Sequence, residues 1–315
     1  MLINANGLQV IGCGASSPRN SYTNEEVFPE TAEWVTSKLG ISSRGFVSKE
    51  ETIIDLCLAA VGEAIRSSGI SSEMLDGIIV ATSTPEYINP STAAIIHGAI
   101  GAKEECAALD IQGVCAGFIY ALGIAASLGS CGAGQYFLVI GMDQFSKITD
   151  FESRDSVFFG DGAGAVVVQF TGQDSLFALE LKADGEHWKD FYTPRLDGKF
   201  KMDSKAVSES ATSRLPKAIH DLCKKNNIEV NQIDHFFTHQ PSKAVLDKVE
   251  KAIGSPEIGI YRNLQHRGNT ASASIPTVFY DSGMFSKIKD GDIVCFAAIG
   301  AGWVWGVALL EWKRN

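Results

Sequence analysis

Three short stretches of this 315-residue chain hold side chains whose type and setting suit covalent or acid–base chemistry. In Gly113-Val-Cys115-Ala-Gly-Phe-Ile-Tyr-Ala-Leu122, a strand over residues 107–111 runs through a tight Gln-Gly turn into a helix of small and apolar residues that begins at the cysteine. A cysteine at a helix N-terminus meets the positive end of the dipole and unpaired backbone N–H groups, and both favour thiolate. Such a thiolate can attack a thioester, and the same N–H groups can hold the oxyanion that forms. The competing reading of Cys115 alone is an inert buried thiol. Phe236-Phe-Thr-His239-Gln-Pro-Ser242 closes an apolar strand ahead of a helix, at the strand end where open α/β sheets place ligands. His266-Arg-Gly268-Asn269-Thr-Ala-Ser-Ala-Ser-Ile-Pro276 sets a turn-permitting glycine before small residues. Asn269 is there the entry residue of a tightly packed helix, its side-chain amide free to donate. A single His or a capping Asn is an ordinary structural feature. The remaining histidines (97, 187, 220, 235 and 266) read as structural, His266 being nearest a motif.

Positioning these residues takes a strand–helix fold with buried sheets, and the chain alternates short apolar runs with helical patterns accordingly. Strands are expected at 8–11, 77–81, 107–110, 136–140, 164–168, 235–238 and 293–297. Several are continuous Val/Ile/Phe runs, as when both faces of a strand are covered. Helices are expected at 51–68, 91–100, 115–129, 208–226 and 242–253. An internal repeat is visible. Ile70-Ser-Ser-Glu-Met-Leu-Asp76-Gly-Ile-Ile-Val lies against Ile228-Glu-Val-Asn-Gln-Ile-Asp234-His-Phe-Phe-Thr, and Asp110-Ile-Gln112 against Asn263-Leu-Gln265. The offsets are 234 − 76 = 158 and 265 − 112 = 153, far too long for a solenoid. The expectation is a duplicated unit packed as one pseudo-symmetric body, with halves at 1–172 and 173–315.

Composition narrows the functional classes. Net charge is −10, against a dedicated nucleic-acid binder, which needs a basic face. No stretch is apolar for the roughly 18 to 20 residues that span a bilayer, so no membrane partner is expected. The N-terminus lacks the basic start and apolar core of a secretory signal. Seven scattered cysteines, odd in number, fit buried thiols in a reducing compartment, and a cytoplasmic location is expected. Neither CxxC nor HExxH spacing occurs, so no metal is expected. Gly160-Asp-Gly-Ala-Gly164 opens no helix after a first strand and reads as close backbone packing under the site, not as a dinucleotide motif.

Taken together, the three stretches resemble the β-ketoacyl-ACP synthase III (KAS III) family of the thiolase superfamily. The matches are Val114-Cys115-Ala-Gly-Phe-Ile-Tyr-Ala-Leu122, His239-Gln240-Pro241-Ser242 and Gly268-Asn269-Thr-Ala-Ser-Ala-Ser-Ile-Pro276, with Phe159–Gly164 and Ile299-Gly-Ala-Gly-Trp-Val-Trp-Gly306 in the same order. The resemblance runs from Val10 to Leu310. It implies an α/β thiolase fold of two pseudo-symmetric halves in five α-β-α-β-α layers, and a homodimer. Cys115 is then the nucleophile that takes an acyl group from acyl-CoA. His239 and Asn269 become the pair that holds the malonyl thioester carbonyl while carbon dioxide leaves, followed by Claisen attack on the acyl-cysteine. Backbone N–H groups of Cys115 and Ala301 would form the oxyanion hole, Ala301 replacing a family glycine. Trp34 and Arg154 match positions that sandwich the coenzyme A adenine, and Arg44 and Ser204 would line the same tunnel. The resemblance implies no cofactor beyond coenzyme A thioesters. It implies malonyl-ACP or malonyl-CoA as extender, and acyl carrier protein as partner.

The chain also departs from the family pattern. Asn89 stands where an aromatic residue of the dimer-crossing loop is usual, and Ser204 and Ser208 replace a Gly and an aromatic after Met202. HQPS replaces HQAN, the basic residue near it moves to Lys243, and the segment before Trp34 is shorter. Asn89 and Ser208 predict an acyl pocket more polar than fatty-acid initiation needs, and hence a specialised pathway. Three further readings compete: acyl transfer to an oxygen or nitrogen acceptor, a Cys–His–Asn peptidase, and an inactive partner subunit. The complete Cys–His–Asn set counts against the last. The absent signal and disulfides count against the peptidase.

Overall fold

The computed structural model describes residues 1–254 and 259–314. Its first half begins with β1 (Leu2–Asn4) and β2 (Leu8–Ser16). Helix α1 (Ile53–Ser68), β3 (Gly77–Ala81), α2 (Thr92–Ile100), β4 (Ala107–Ile111), α3 (Gly117–Ser130), β5 (Tyr136–Asp143) and β6 (Gly162–Phe170) follow. The second half has β7 (Phe177–Ala183), α4 (Ser204–Lys225), β8 (His235–Thr238), α5 (Lys243–Ile253), α6 (Ser274–Asp281), β9 (Ile293–Gly300) and β10 (Val304–Glu311). One sheet runs β2–β6–β5–β3–β4 and the other β1–β7–β10–β9–β8. In both, a parallel pair (β3 with β5, β8 with β9) leads into antiparallel partners.

The repeat has a physical basis in its two aspartates. Asp76 donates its N–H to Tyr136 O at 2.8 Å, and its carboxylate accepts from Tyr136 N at 3.0 Å. Asp234 does the same with Ile293, at 2.9 and 2.8 Å. Each carboxylate thus pins the start of one strand to the start of its parallel neighbour. At the place of a β4 counterpart, the described residues form a single bridge, Phe236–Ile260.

Layering follows from which helix faces are apolar. α3 is buried almost throughout, its Phe118, Leu122, Ala125 and Ala126 packing with Phe279 of α6 and Phe296 of β9 in the core between the sheets. α1 and α2 cover the outer face of the first sheet, α4 and α5 that of the second. The result is the five-layered α-β-α-β-α arrangement.

Capping explains the boundaries. Thr52 and Asp55 form a reciprocal capping box at the start of α1, and Gly69 ends it at φ 74°. Asp203 accepts from the N–H groups of Lys205 and Ala206, so α4 begins at Ser204, a turn before the periodicity of its apolar residues reveals it. β1 leaves the first half and pairs with β7 in the second sheet. Among the described residues, no helix is long and apolar enough to cross a membrane.

Candidate active site

A cavity of about 420 Å³ opens where the two halves meet, and Cys115, His239 and Asn269 all line it. Each arrives from a different element. Cys115 sits in a single 3-10 turn, Val114–Ala116, that feeds α3. Val114 takes φ 44°, a costly conformation for a β-branched residue, and this sets the turn on which the thiol is presented. The sequence reading began the α-helix at Cys115 itself; it begins two residues later. On the far side, Gly300 ends β9 so close that a Cβ there would lie 2.8 Å from Cys115 N. Ala301, the next residue, also lines the cavity.

His239 follows β8 and donates its N–H to Ala297 O at 2.9 Å, which holds the residue against β9. Its Nδ1 lies 3.1 Å from Ser274 Oγ. Burial pushes the imidazole down to about 3, so the ring is neutral at physiological pH. Asn269 is fixed by its backbone, N to Phe158 O at 2.9 Å and O from Gly160 N at 3.1 Å. Gly160 is required there, because a Cβ would stand 2.2 Å from Arg267 O. Asn269 is not the entry residue of α6, which starts at Ser274 after a 3-10 turn over Ala271–Ala273. Its Oδ1 accepts from Ala271 N at 2.9 Å, and its Nδ2 has no partner among the described residues.

Cys115 departs from the expectation of a favoured thiolate. Burial and then the Asp143 carboxylate push its thiol well up, against a smaller opposing effect from its own backbone N–H. Asp143 is fully buried and accepts from Ser272 N at 3.1 Å, Ser272 Oγ at 2.6 Å, Ser83 N at 2.7 Å and Thr84 Oγ1 at 3.0 Å.

Farther out, Trp34, Arg154, Ser204 and Ser208 line the same cavity. The Arg154 guanidinium lies 5.1 Å from the Trp34 ring centre, in direct cation–π contact. A base inserted between them needs about 7 Å, twice the contact distance of stacked carbons, so the two are closed on each other. Ser204 Oγ donates to Asp155 at 2.7 Å. A second chamber of about 330 Å³ lies beyond Val114, walled by Phe145, Trp188, Phe191, Tyr192 and Val304 with Ser83 and Gln112.

Two residues lie elsewhere. Arg44 does not line the cavity but is wholly buried beneath it, and Asn89 is exposed on a loop lining neither chamber. Ser208 faces the larger cavity, not the aromatic chamber.

The profile described as 3-Oxoacyl-[acyl-carrier-protein (ACP)] synthase III matches residues 109–185, and that of its C-terminal part matches 223–312. A β-ketoacyl-[acyl-carrier-protein] synthase III of Clostridium perfringens (strain SM101 / Type A) is 36% identical, covering 96% of this chain and 98% of its own length. The chain belongs to the 3-oxoacyl-[acyl-carrier-protein] synthase III family. It is an acyltransferase and a condensing enzyme of thiolase fold. The family's crystal structure from Aquifex aeolicus VF5 superposes with a TM-score of 0.92 at 33% identity, over 97% of this chain and 100% of that one. The priming β-ketosynthase of the R1128 polyketide pathway, at 26% identity, gives 0.92 over 99% and 98%.

Within this synthase III site, sequence reading passed over two side chains. Ser274 was inside a quoted motif, and only its contact with His239 distinguishes it from neighbouring small residues. Asp143 lies beyond the expected end of its strand at Ile140, in text with no turn signal.

Proposed function

We propose that Cys115 takes an acyl group from acyl-CoA and extends it by decarboxylative Claisen condensation with a malonyl thioester. The observation that carries this reading is the convergence of Cys115, His239 and Asn269 on one cavity, with the Asn269 Nδ2 unpartnered among the described residues. The Cys115 sulfur attacks the acyl thioester carbonyl as its proton passes to the departing coenzyme A thiolate. Backbone N–H groups of Cys115 and Ala301 hold the oxyanion. The malonyl thioester then enters, and its carboxylate leaves as carbon dioxide. Neutral His239, with Nδ1 accepting the Ser274 hydroxyl proton, donates from Nε2 to the enolate oxygen beside Asn269 Nδ2. The enolate carbon attacks the acyl-Cys115 carbonyl, forms the new carbon–carbon bond and releases the thiolate. These steps balance without a cofactor.

Trp34, Arg154 and Ser204 at the mouth are the coenzyme A contacts in this reading, and the aromatic chamber takes the acyl chain. Ser208 lies in the larger cavity, Asn89 on the dimer-crossing loop is directed to the partner's pocket, and Ser83 and Gln112 add polar groups to the chamber wall. The two halves, 1–172 and 173–315, supply nucleophile and enolate-binding pair respectively. A homodimer through β4 follows from its place at the sheet edge with Ala108, Leu109 and Ile111 only half covered. The partners are acyl-CoA, malonyl-ACP or malonyl-CoA, and acyl carrier protein, in the cytoplasm.

The test is intact mass after incubation with a panel of acyl-CoAs, beside Cys115→Ala. An acyl adduct that vanishes in the variant supports the reading, and malonyl thioester consumption separates condensation from transfer to oxygen or nitrogen. Adducts on both proteins would refute it.

A further inference from the structure

Among the described residues Arg44 is the only fully buried arginine, and no carboxylate meets it. Burial lowers its guanidinium to about 10, which leaves it charged at neutral pH. A buried charge without a counter-ion is costly and survives only where its hydrogen bonds are needed. Those bonds have a pattern. Nη1 donates to Val157 O, inside the short helix Arg154–Phe158. Nη2 donates to Asn24 Oδ1, and Asn24 Nδ2 donates onward to Thr36 Oγ1 at 2.9 Å and Ile41 O at 2.7 Å. Thr36 belongs to the helical turn Val35–Leu39, which Trp34 opens. The guanidinium also lies 5.0 Å from the Phe28 ring centre, and Phe28 stacks at 6.5 Å on Phe151, just ahead of Arg154.

Arg44 therefore bridges the two turns that present Trp34 and Arg154, touching neither side chain. The bridge runs from charge through Asn24 to one turn and directly to the other. A planar fork with two separated donors does this, and an ammonium cannot reach both acceptors. We infer that Arg44 is a positioning residue for the Trp34–Arg154 pair, setting the spacing at which it closes on the nucleotide end of an acyl-CoA. The inference rests on the coenzyme A reading of that pair. Cys115 and His239 are held by α3's leading turn, β8 and β9, apart from the bridge, whereas Asn269, whose N–H donates to Phe158 O, adjoins it.

The experiment compares KM and kcat for an acyl-CoA and for the matching acyl-pantetheine, which lacks the nucleotide. Three variants are used: Arg44→Lys, Thr36→Val and Trp34→Ala. Thr36 is exposed, so its variant cuts the bridge without disturbing a buried charge and reports even if Arg44→Lys fails to fold. The expected result is a rise in KM for acyl-CoA, about tenfold for Arg44→Lys and about threefold for Thr36→Val, with acyl-pantetheine KM unchanged and any loss of kcat through Asn269 equal for the two donors. A merely structural role would move both donors together. If Trp34→Ala leaves the acyl-CoA KM unaltered, the coenzyme A reading of the pair fails. If Trp34→Ala raises it while folded Thr36→Val does not, the positioning inference alone is overturned.

Discussion

Ser274 Oγ lies 3.1 Å from His239 Nδ1, and the two residues come from different elements of the second half, β8's end and the first residue of α6. A neutral imidazole has one donor nitrogen and one acceptor, and the hydrogen bond at one nitrogen decides which role the other plays. In the proposed mechanism Ser274 donates to Nδ1, which leaves the proton on Nε2. Ser274→Ala frees the tautomer. Condensation should then slow by about tenfold while acyl loading on Cys115 is unchanged. Single-turnover loading by intact mass, beside steady-state carbon dioxide release, checks this. A parallel loss of both rates would count against the tautomer role.

The buried His239 makes stability depend on acid in a defined direction. Its folded value of about 3 lies below the ordinary 6.5, so the unfolded chain binds the proton more tightly. Stability is full above 6.5 and is lost as pH falls from there toward 3. Asp161, raised by burial to about 6, acts oppositely, because its folded form binds the proton more tightly and it stabilises as pH falls through the same range. The His contribution therefore shows only by difference. His239→Asn should gain about 2 kcal/mol on wild type between pH 7 and pH 5 in urea unfolding. Equal acid sensitivity in both proteins would contradict a buried neutral His239.

Gly300 offers a test of the oxyanion site. A methyl at this position would meet Cys115 N at 2.8 Å and Ala116 N at 3.0 Å. Gly300→Ala forces the end of β9 away from the 3-10 turn and spoils donor alignment. Acyl loading should fall by about 100-fold, the loss typical of removing one oxyanion donor. Rapid-quench mass spectrometry measures the rate, and circular dichroism shows whether the fold is kept.

Asp143 joins stability to reactivity. Its carboxylate accepts five hydrogen bonds, two from Ser272 of the second half. Asp143→Asn turns a donor toward donors, and the variant should lose about 2 to 4 kcal/mol in urea unfolding. It also removes the negative charge that raises the Cys115 thiol, so alkylation of Cys115 at neutral pH should become faster. Slower alkylation in the folded variant would show that Asp143 does not oppose the thiolate.

Much of the frame was legible because it follows local rules. The strands at 77–81 and 235–238 appear with the expected bounds, since Asp76 and Asp234 mark their starts. β7 and β10 were missed. The text of β7 fell on the supposed boundary, and that of β10 overlaps the Trp303-Val-Trp305-Gly306 motif, so strand and motif signals competed. Motif residues could be named from spacing, yet their surroundings could not. Arg44 reads identically whether it faces a ligand or a buried carbonyl, and only Val157 and Asn24, distant in sequence, distinguish the two. Cys115 likewise shows its helix terminus in the local sequence but not the carboxylate of Asp143, which the fold brings near.

The strand β1 reverses the order of making and using. Leu2–Asn4 is synthesised well ahead of Ala178–Glu180, with which it pairs, and the β7 strand that holds it leans in turn on β10, which ends at Glu311. At ordinary elongation rates, roughly 15 to 60 s of synthesis separate the strand from the last of its sheet. Throughout that interval β1 is a strand without a partner. When the sheet is complete, Met1 N lies 2.8 Å from Leu181 O, so a segment made early helps seal the last sheet assembled.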